Sequence, residues 1–159
     1  MVVSHGPDFA EMIADAASAE ETQALGRRLG ELLQPGTFIA LIGPLGAGKT
    51  TFVQGVAEGI CVEGAITSPT FVLMRLHRGR VPLAHADAYR LAGATDLAEL
   101  GVEELQGECV VALEWADTIP DELPDDRIEV RIEYTDEGRR LDIRGRGPRS
   151  AEAVGRMRQ

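Results

Sequence analysis

The sequence predicts an α/β fold: a three-layer sandwich in which helices cover a mixed, partly antiparallel central sheet. Three stretches carry that expectation. Phe38-Ile39-Ala40-Leu41-Ile42 is a short apolar run of the kind that forms a buried strand, followed by a glycine-rich turn and a helical pattern. Residues 109–113 form a second buried apolar run, ending in the acid Glu114. Residues 127–134 instead alternate, with Ile128, Val130 and Ile132 on one face, and Asp136-Glu137-Gly138 turns the chain back into residues 139–143. Helices beside continuous apolar strands imply a layered α/β domain, and the late hairpin implies that part of the sheet is antiparallel.

Taken in order, the first fifteen or so residues read as a frayed end or a short strand. Ser18-Ala19-Glu20-Glu21 is a capping box, with Ser18 as cap and Glu21 reaching back. The helix it opens puts Ala24, Leu25, Leu29, Leu32 and Leu33 on one face and ends near Pro35-Gly36. After the central strand, residues 50–59 place Phe52, Val53, Val56 and Ala57 at helical spacing. Thr67-Ser68-Pro69-Thr70 breaks regularity and starts a loop. Residues 71–76 and 81–85 read as a strand pair joined by His77-Arg78-Gly79-Arg80, and residues 96–100 as a short helix. Pro120 and Pro124 punctuate a loop before the last hairpin.

The chemistry concentrates in Gly43-Pro44-Leu45-Gly46-Ala47-Gly48-Lys49-Thr50, which has the glycine, lysine and threonine spacing of a phosphate-binding loop. The expected fold is therefore P-loop NTPase-like. Glycine lets the backbone curl until its amides converge on phosphate oxygens, and the following helix adds the positive potential of its N-terminus. Lys49 is the only lysine among 159 residues; every other fixed cation is an arginine. A slim ammonium fits beside β- and γ-phosphates, where a planar guanidinium fits badly. Thr50 is placed to offer its hydroxyl to Mg²⁺. Thr51 is either an α-phosphate contact or a plain helix residue.

Composition limits the alternatives. A chain of 159 residues makes one domain, long enough to bury about two-thirds of its unfolded surface. No apolar run approaches bilayer length, and the N-terminus has no basic start followed by an apolar stretch, so neither a membrane nor a secretory signal is read here. Cys61 and Cys109 form no CxxC and read as reduced thiols of a cytoplasmic protein. The net charge of −10 argues against a free-standing nucleic-acid binder. Residues 138–159 depart from it, with seven arginines against Asp142 and Glu152, a local +5. The division expected is one domain over residues 1–145 and a basic C-terminal tail over 146–159, either solvated or contacting RNA or an acidic partner.

Three further constellations sit where a triphosphatase needs them. Glu114 ends an apolar strand, where the metal-side acid of such a fold belongs. In His85-Ala86-Asp87-Ala88-Tyr89-Arg90 a period of two sets His85, Asp87 and Tyr89 on one face. Asp87 is a candidate to hold Mg²⁺ through water or to orient the attacking water, and Arg90 to neutralise phosphate charge; the alternative is a structural ion-pair cluster. Ser68 and Thr70 lie where loops order around a γ-phosphate, though such loops are also common turns. Trp115, the only tryptophan, either covers the site, offers a partner surface or packs in the core. The Asn-Lys-x-Asp signature that reads guanine cannot occur without a second lysine, so ATP is favoured over GTP.

In this order the segments resemble the TsaE (formerly YjeE) family, small bacterial P-loop ATPases required for threonylcarbamoyladenosine modification of tRNA. The likeness rests on Glu21-Thr22, residues 43–51, Ser68-Pro69-Thr70-Phe71, residues 85–91, Leu97-Ala98-Glu99-Leu100-Gly101, Glu114-Trp115 and Leu123-Pro124, and runs from about Glu20 to Ile143. Pro44 stands where the family commonly has an acidic residue, and Ala86 where it has a larger apolar one. The resemblance implies ATP with Mg²⁺ held by Thr50 and Glu114, a functional role for Asp87, a switch-like Ser-Pro-Thr loop, and an adenine flanked by Thr22 and by Gly138-Arg139. It implies two partners, the transferase TsaD and its paralogue TsaB, with ATP hydrolysis resetting or activating that complex and tRNA touched only indirectly.

The reading with most support is a Mg²⁺-dependent ATPase in which Lys49, Asp87 and Glu114 are catalytic and Gly43, Leu45, Gly46, Ala47, Gly48, Thr50, Thr51, Thr22 and Arg139 bind nucleotide. Ser68, Thr70, Tyr89, Arg90 and Trp115 are then switch or partner residues. The alternatives are a small-molecule P-loop kinase, with Arg75, Arg78 and Arg80 on a lid, and a nucleotide-gated assembly module that needs no hydrolysis.

Overall fold

The structure, a computed structural model, describes residues 2–66, 74–88, 101 and 105–157, with backbone alone for 2–5. Its centre is a sheet of eight strands: β1 (Val2–Gly6), β2 (Phe9–Ala16), β3 (Phe38–Ile42), β4 (Met74–His77), β5 (Leu83–Asp87), β6 (Val110–Glu114), β7 (Arg127–Thr135) and β8 (Gly138–Arg146). They lie in the order β1-β2-β8-β7-β3-β6-β5-β4. Strand β3 runs parallel to both β6 and β7, and β5 runs parallel to β6; the other pairs are antiparallel. The sheet thus has a parallel centre and an antiparallel half, as the patterning implied. Strands β3, β5 and β6 are buried at every residue, which explains their lack of alternation.

Helices α1 (Ala19–Gly30), α2 (Lys49–Gly59) and α3 (Pro148–Arg156) share one cluster with Ile39, Leu41, Ile128, Val130 and Leu141. Phe38, Ala40, Ile42, Val111 and Leu113 face the other way, onto Leu105, Trp115, Ile119 and Leu123. Two short 3₁₀ turns, Ala116–Thr118 and Pro120–Glu122, carry the chain across that second side. The Ser18 cap forms, its hydroxyl accepting from the Glu21 amide at 3.2 Å, while the Glu21 carboxylate accepts from the amide of Ala17 rather than that of Ser18. The strand pair at 71–76 and 81–85 is found as β4 and β5, with residues 71–73 outside the described part, as is the helix expected over 96–100.

Both chain ends differ from expectation. The N-terminal residues form the β1–β2 hairpin, which pairs along all of β2 with β8. The segment expected as a solvated tail contains α3, which packs on β8 and β2 and buries Ala151, Val154 and Met157. Asp126 anchors its start, accepting from the Arg149 and Ser150 amides at 3.0 Å and from the Ser150 hydroxyl at 2.6 Å. The arginines of this region are also engaged: Arg140 pairs with Asp15, Arg144 with Glu11 and Asp142, and Arg146 with Glu129.

Helices α1 and α2 meet backbone to backbone. Gly26 and Gly30 lie on one side of the contact, Gly55 and Gly59 on the other; a Cβ on Gly55 would stand 2.0 Å from the carbonyl oxygen of Gln23. An exposed helical glycine gains up to about 1 kcal/mol on becoming alanine. Here the sign reverses: Gly55→Ala is expected to destabilise by roughly 1–3 kcal/mol through overpacking, measured by urea denaturation. A higher midpoint would show that the two helices are not in this contact.

Candidate functional site

The carboxyl ends of β3, β5 and β6 open on one crevice. The register sets Leu41 and Asp87 on either side of Glu114, so Asp87, Glu114 and the turn after Ile42 stand at one level. Gly43, Gly46 and Gly48 take φ of 157°, 76° and 111°, which lets the chain curl from β3 into α2.

Each carbonyl of the curl has a donor. The Lys49 ammonium donates to Gly43 O at 2.7 Å and Pro44 O at 2.9 Å. The Tyr134 hydroxyl donates to Leu45 O at 2.6 Å. The Arg139 guanidinium donates to Ala47 O at 3.0 Å and to Gly46 O at 3.4 Å, with its carbon 4.2 Å from the Tyr134 ring centroid. The Phe52 amide donates to Gly48 O at 2.9 Å. The Ala47 amide closes the turn on Pro44 O at 3.1 Å, and a curl of successive peptide units with its carbonyls engaged is the kind of backbone that forms an anion nest. Tyr134 is a member of this site that sequence reasoning passed over, because only the pairing of β7 with β3 brings it to Leu45. The one local hint is its place at the strand end beside the turn.

Lys49 is buried, and its ammonium also lies 4.1 Å from the centroid of the Trp115 ring. Burial pushes its pKa down, opposed by the charges of Glu114, Asp117 and Asp87. Trp115 holds left-handed backbone, φ 58°, immediately after Glu114, an uncommon conformation for a bulky residue. That turn lays the indole over the loop while Glu114 points to Thr50, whose hydroxyl donates to both carboxylate oxygens at 3.1 and 3.0 Å. Of the three roles open to Trp115, covering the loop is the one this geometry favours.

Thr22 and Arg139 lie on the opposite flank. With Ala16–Ala19, Gly46–Gly48, Thr51 and Gly138 they line a cavity of about 330 Å³ beside the curl. The structure thus gathers Thr22, residues 43–51, Asp87, Glu114, Trp115 and Arg139 around one crevice. Ser68, Thr70, Tyr89 and Arg90 lie outside the described residues. Thr50 and Glu114 form a hydroxyl–carboxylate pair suited to Mg²⁺, which takes few protein ligands and completes its shell with water and phosphate oxygens. Among the described residues no cluster of three His, Cys, Asp or Glu side chains offers another metal site.

The family described as "Threonylcarbamoyl adenosine biosynthesis protein TsaE" matches residues 16–141. The chain belongs to the TsaE family. A Streptomyces coelicolor protein named for tRNA threonylcarbamoyladenosine biosynthesis, TsaE, is 43% identical over 138 residues, covering 81% of this chain and 93% of its own. A Treponema pallidum protein of the same name is 39% identical over 124 residues, with coverage of 77% and 92%. The crystal structure of Bacillus subtilis YdiB superposes with a TM-score of 0.74 at 30% identity, over 98% of this chain and 97% of that one. The family match spans every candidate residue from Thr22 to Arg139, whereas the β1 strand and α3 lie outside it.

The indole over Lys49 makes the only tryptophan a reporter of this TsaE-family site. Lys49→Ala is expected to change the tryptophan emission spectrum of the folded protein. Superimposable spectra of wild type and variant would show that the ammonium does not rest on the ring in solution.

Proposed function

We propose that this TsaE-family chain is a Mg²⁺-dependent ATPase that supports threonylcarbamoyladenosine modification of tRNA by acting on the TsaD–TsaB transferase complex. The observation that carries the reading is the glycine-rich curl of residues 43–48, its carbonyls held by Lys49, Tyr134 and Arg139, next to the Thr50–Glu114 pair. Substrate phosphates take the centre of the curl. The Lys49 ammonium exchanges Gly43 O and Pro44 O for phosphate oxygens and follows the charge that builds on them during transfer to water. Thr50 and Glu114 would hold the metal, and the chemistry it would supply is neutralisation of phosphate charge. Asp87, buried in register beside Glu114, is in place to orient water or support the metal's shell.

The cavity between Thr22 and Arg139 suits the adenine. Ala16–Ala19 present small side chains on one wall, and Arg139 is fixed by its carbonyl bonds. Partner action rather than direct tRNA binding agrees with the charge. The net is −10, and Arg140, Arg144 and Arg146 are committed to cross-strand acids. Among the described residues no helix is long and apolar enough to cross a membrane.

Lys49→Ala is expected to lower phosphate release from Mg·ATP by roughly 100-fold or more in a protein that still folds; undiminished turnover would refute the ATPase assignment. The partner half of the proposal has its own check. Immobilised chain is expected to retain TsaD and TsaB more strongly with ATP than with ADP. Equal retention, or none, would remove the nucleotide-controlled role on that complex.

A further inference from the structure

We infer that His85 is the positioning residue that fixes the Glu114 carboxylate for the metal. This deepens the ATPase reading and rests on it. His85 is wholly buried in β5, two residues before Asp87 and on the same face, and its Nε2 lies 2.6 Å from Oε2 of Glu114. The same carboxylate takes the Thr50 hydroxyl on both oxygens. A buried carboxylate on a strand end has two free torsions beyond its Cβ; bonds from two elements on different sides leave it one orientation. Thr50 is itself a candidate metal ligand, so the bond from His85 is the one that reaches Glu114 from a group outside the metal's own shell.

The other ring nitrogen supports the assignment. Nδ1 of His85 is buried with no hydrogen-bond partner among the described residues. A neutral imidazole carries one N–H and one lone pair. With the proton on Nε2, the ring donates to a carboxylate and leaves only a lone pair unpaired. With the proton on Nδ1, a donor is orphaned and a lone pair faces a carboxylate oxygen at 2.6 Å, which is the costlier arrangement. The geometry therefore selects the Nε2–H tautomer and gives the ring one polar task, donation to Glu114. Backing of a carboxylate ligand by a hydrogen bond is general in metal sites, and losing the backing group typically weakens metal affinity roughly 10–100-fold.

Binding of a fluorescent ATP analogue, titrated with Mg²⁺, tests this without relying on turnover. His85→Leu, which keeps bulk and removes the donor, is expected to raise the Mg²⁺ needed for half-maximal tight binding by roughly 10-fold or more, leaving Mg²⁺-free affinity unchanged. His85→Gln, whose amide nitrogen reaches the Nε2 position, is expected to recover most of the loss. A His85→Leu protein with wild-type Mg²⁺ dependence overturns the inference, and so does a glutamine variant as impaired as the leucine one, since that marks a packing role. Wild-type affinity indifferent to Mg²⁺ would instead overturn the ATPase reading together with this role. Should His85→Leu not fold, ¹⁵N NMR of the wild-type ring, assigned by its loss in His85→Gln, decides the matter: Nε2–H supports the inference and Nδ1–H overturns it.

Discussion

A phosphate-binding turn works only if its backbone carbonyls are engaged by the protein itself, and in this chain most of their donors come from residues outside the turn. Two donors come from Lys49, one from Tyr134, two from Arg139 and one from the first turn of α2. Left unpaired and partly buried, each carbonyl would cost about 1–3 kcal/mol and would place negative potential where an anion must sit. The division of the sheet follows from this need. The parallel strands β3, β5 and β6 deliver Lys49, Asp87 and Glu114, while the antiparallel pair β7–β8 delivers the Tyr134–Arg139 brace. The hairpin is thus part of the proposed nucleotide site although it contributes nothing to phosphate chemistry itself.

The glycine contact between α1 and α2 serves the same end from the other side. Side chains would hold the two axes 8–10 Å apart; glycine on both faces removes the spacer and brings α1 against the helix that begins with Lys49. The methyl of Thr22 comes within reach of the curl, 3.7 Å from where a Cβ on Gly48 would stand. Ser18 and Ala19 then border the cavity that Arg139 closes. Four helical glycines carry a conformational-entropy cost, and dispersion between closely packed backbones offsets it.

Much of the parallel centre was legible because its signals are local: an apolar run, a glycine-rich turn, an acid at a strand end, and a Ser-x-x-Glu cap. Strand β7 was equally plain, because one face is buried and the other is not. The N-terminal hairpin was not, since β2 turns Ala10, Met12 and Ala16 inward and alanine gives little contrast against polar neighbours. Helix α3 was hidden for a related reason: its buried face is Ala151, Val154 and Met157, set among charges that read as a tail. The arginines near the C-terminus misled because their partners, Glu11, Asp15 and Glu129, are remote in sequence and meet them only through strand register. Tyr134 belongs to this class; the carbonyl it holds, that of Leu45, is remote in sequence and reaches it only through the pairing of β3 with β7.

The solitary lysine can now be understood from its surroundings. Its ammonium touches two carbonyl oxygens and an indole face, and the charges of Glu114, Asp117 and Asp87 offset the burial that would otherwise discharge it. A compact head with three rotatable donors can change partners by turning about its own stem. A guanidinium in the same space would need a planar slot and would fork its donors across the turn, competing for the carbonyls that Tyr134 and Arg139 occupy. Arginine serves where it braces, at position 139, and lysine where the proposed mechanism has it let go of one set of oxygens and take another. The exclusion of lysine elsewhere in the chain has no structural account here, but its retention at position 49 follows from the geometry of the turn.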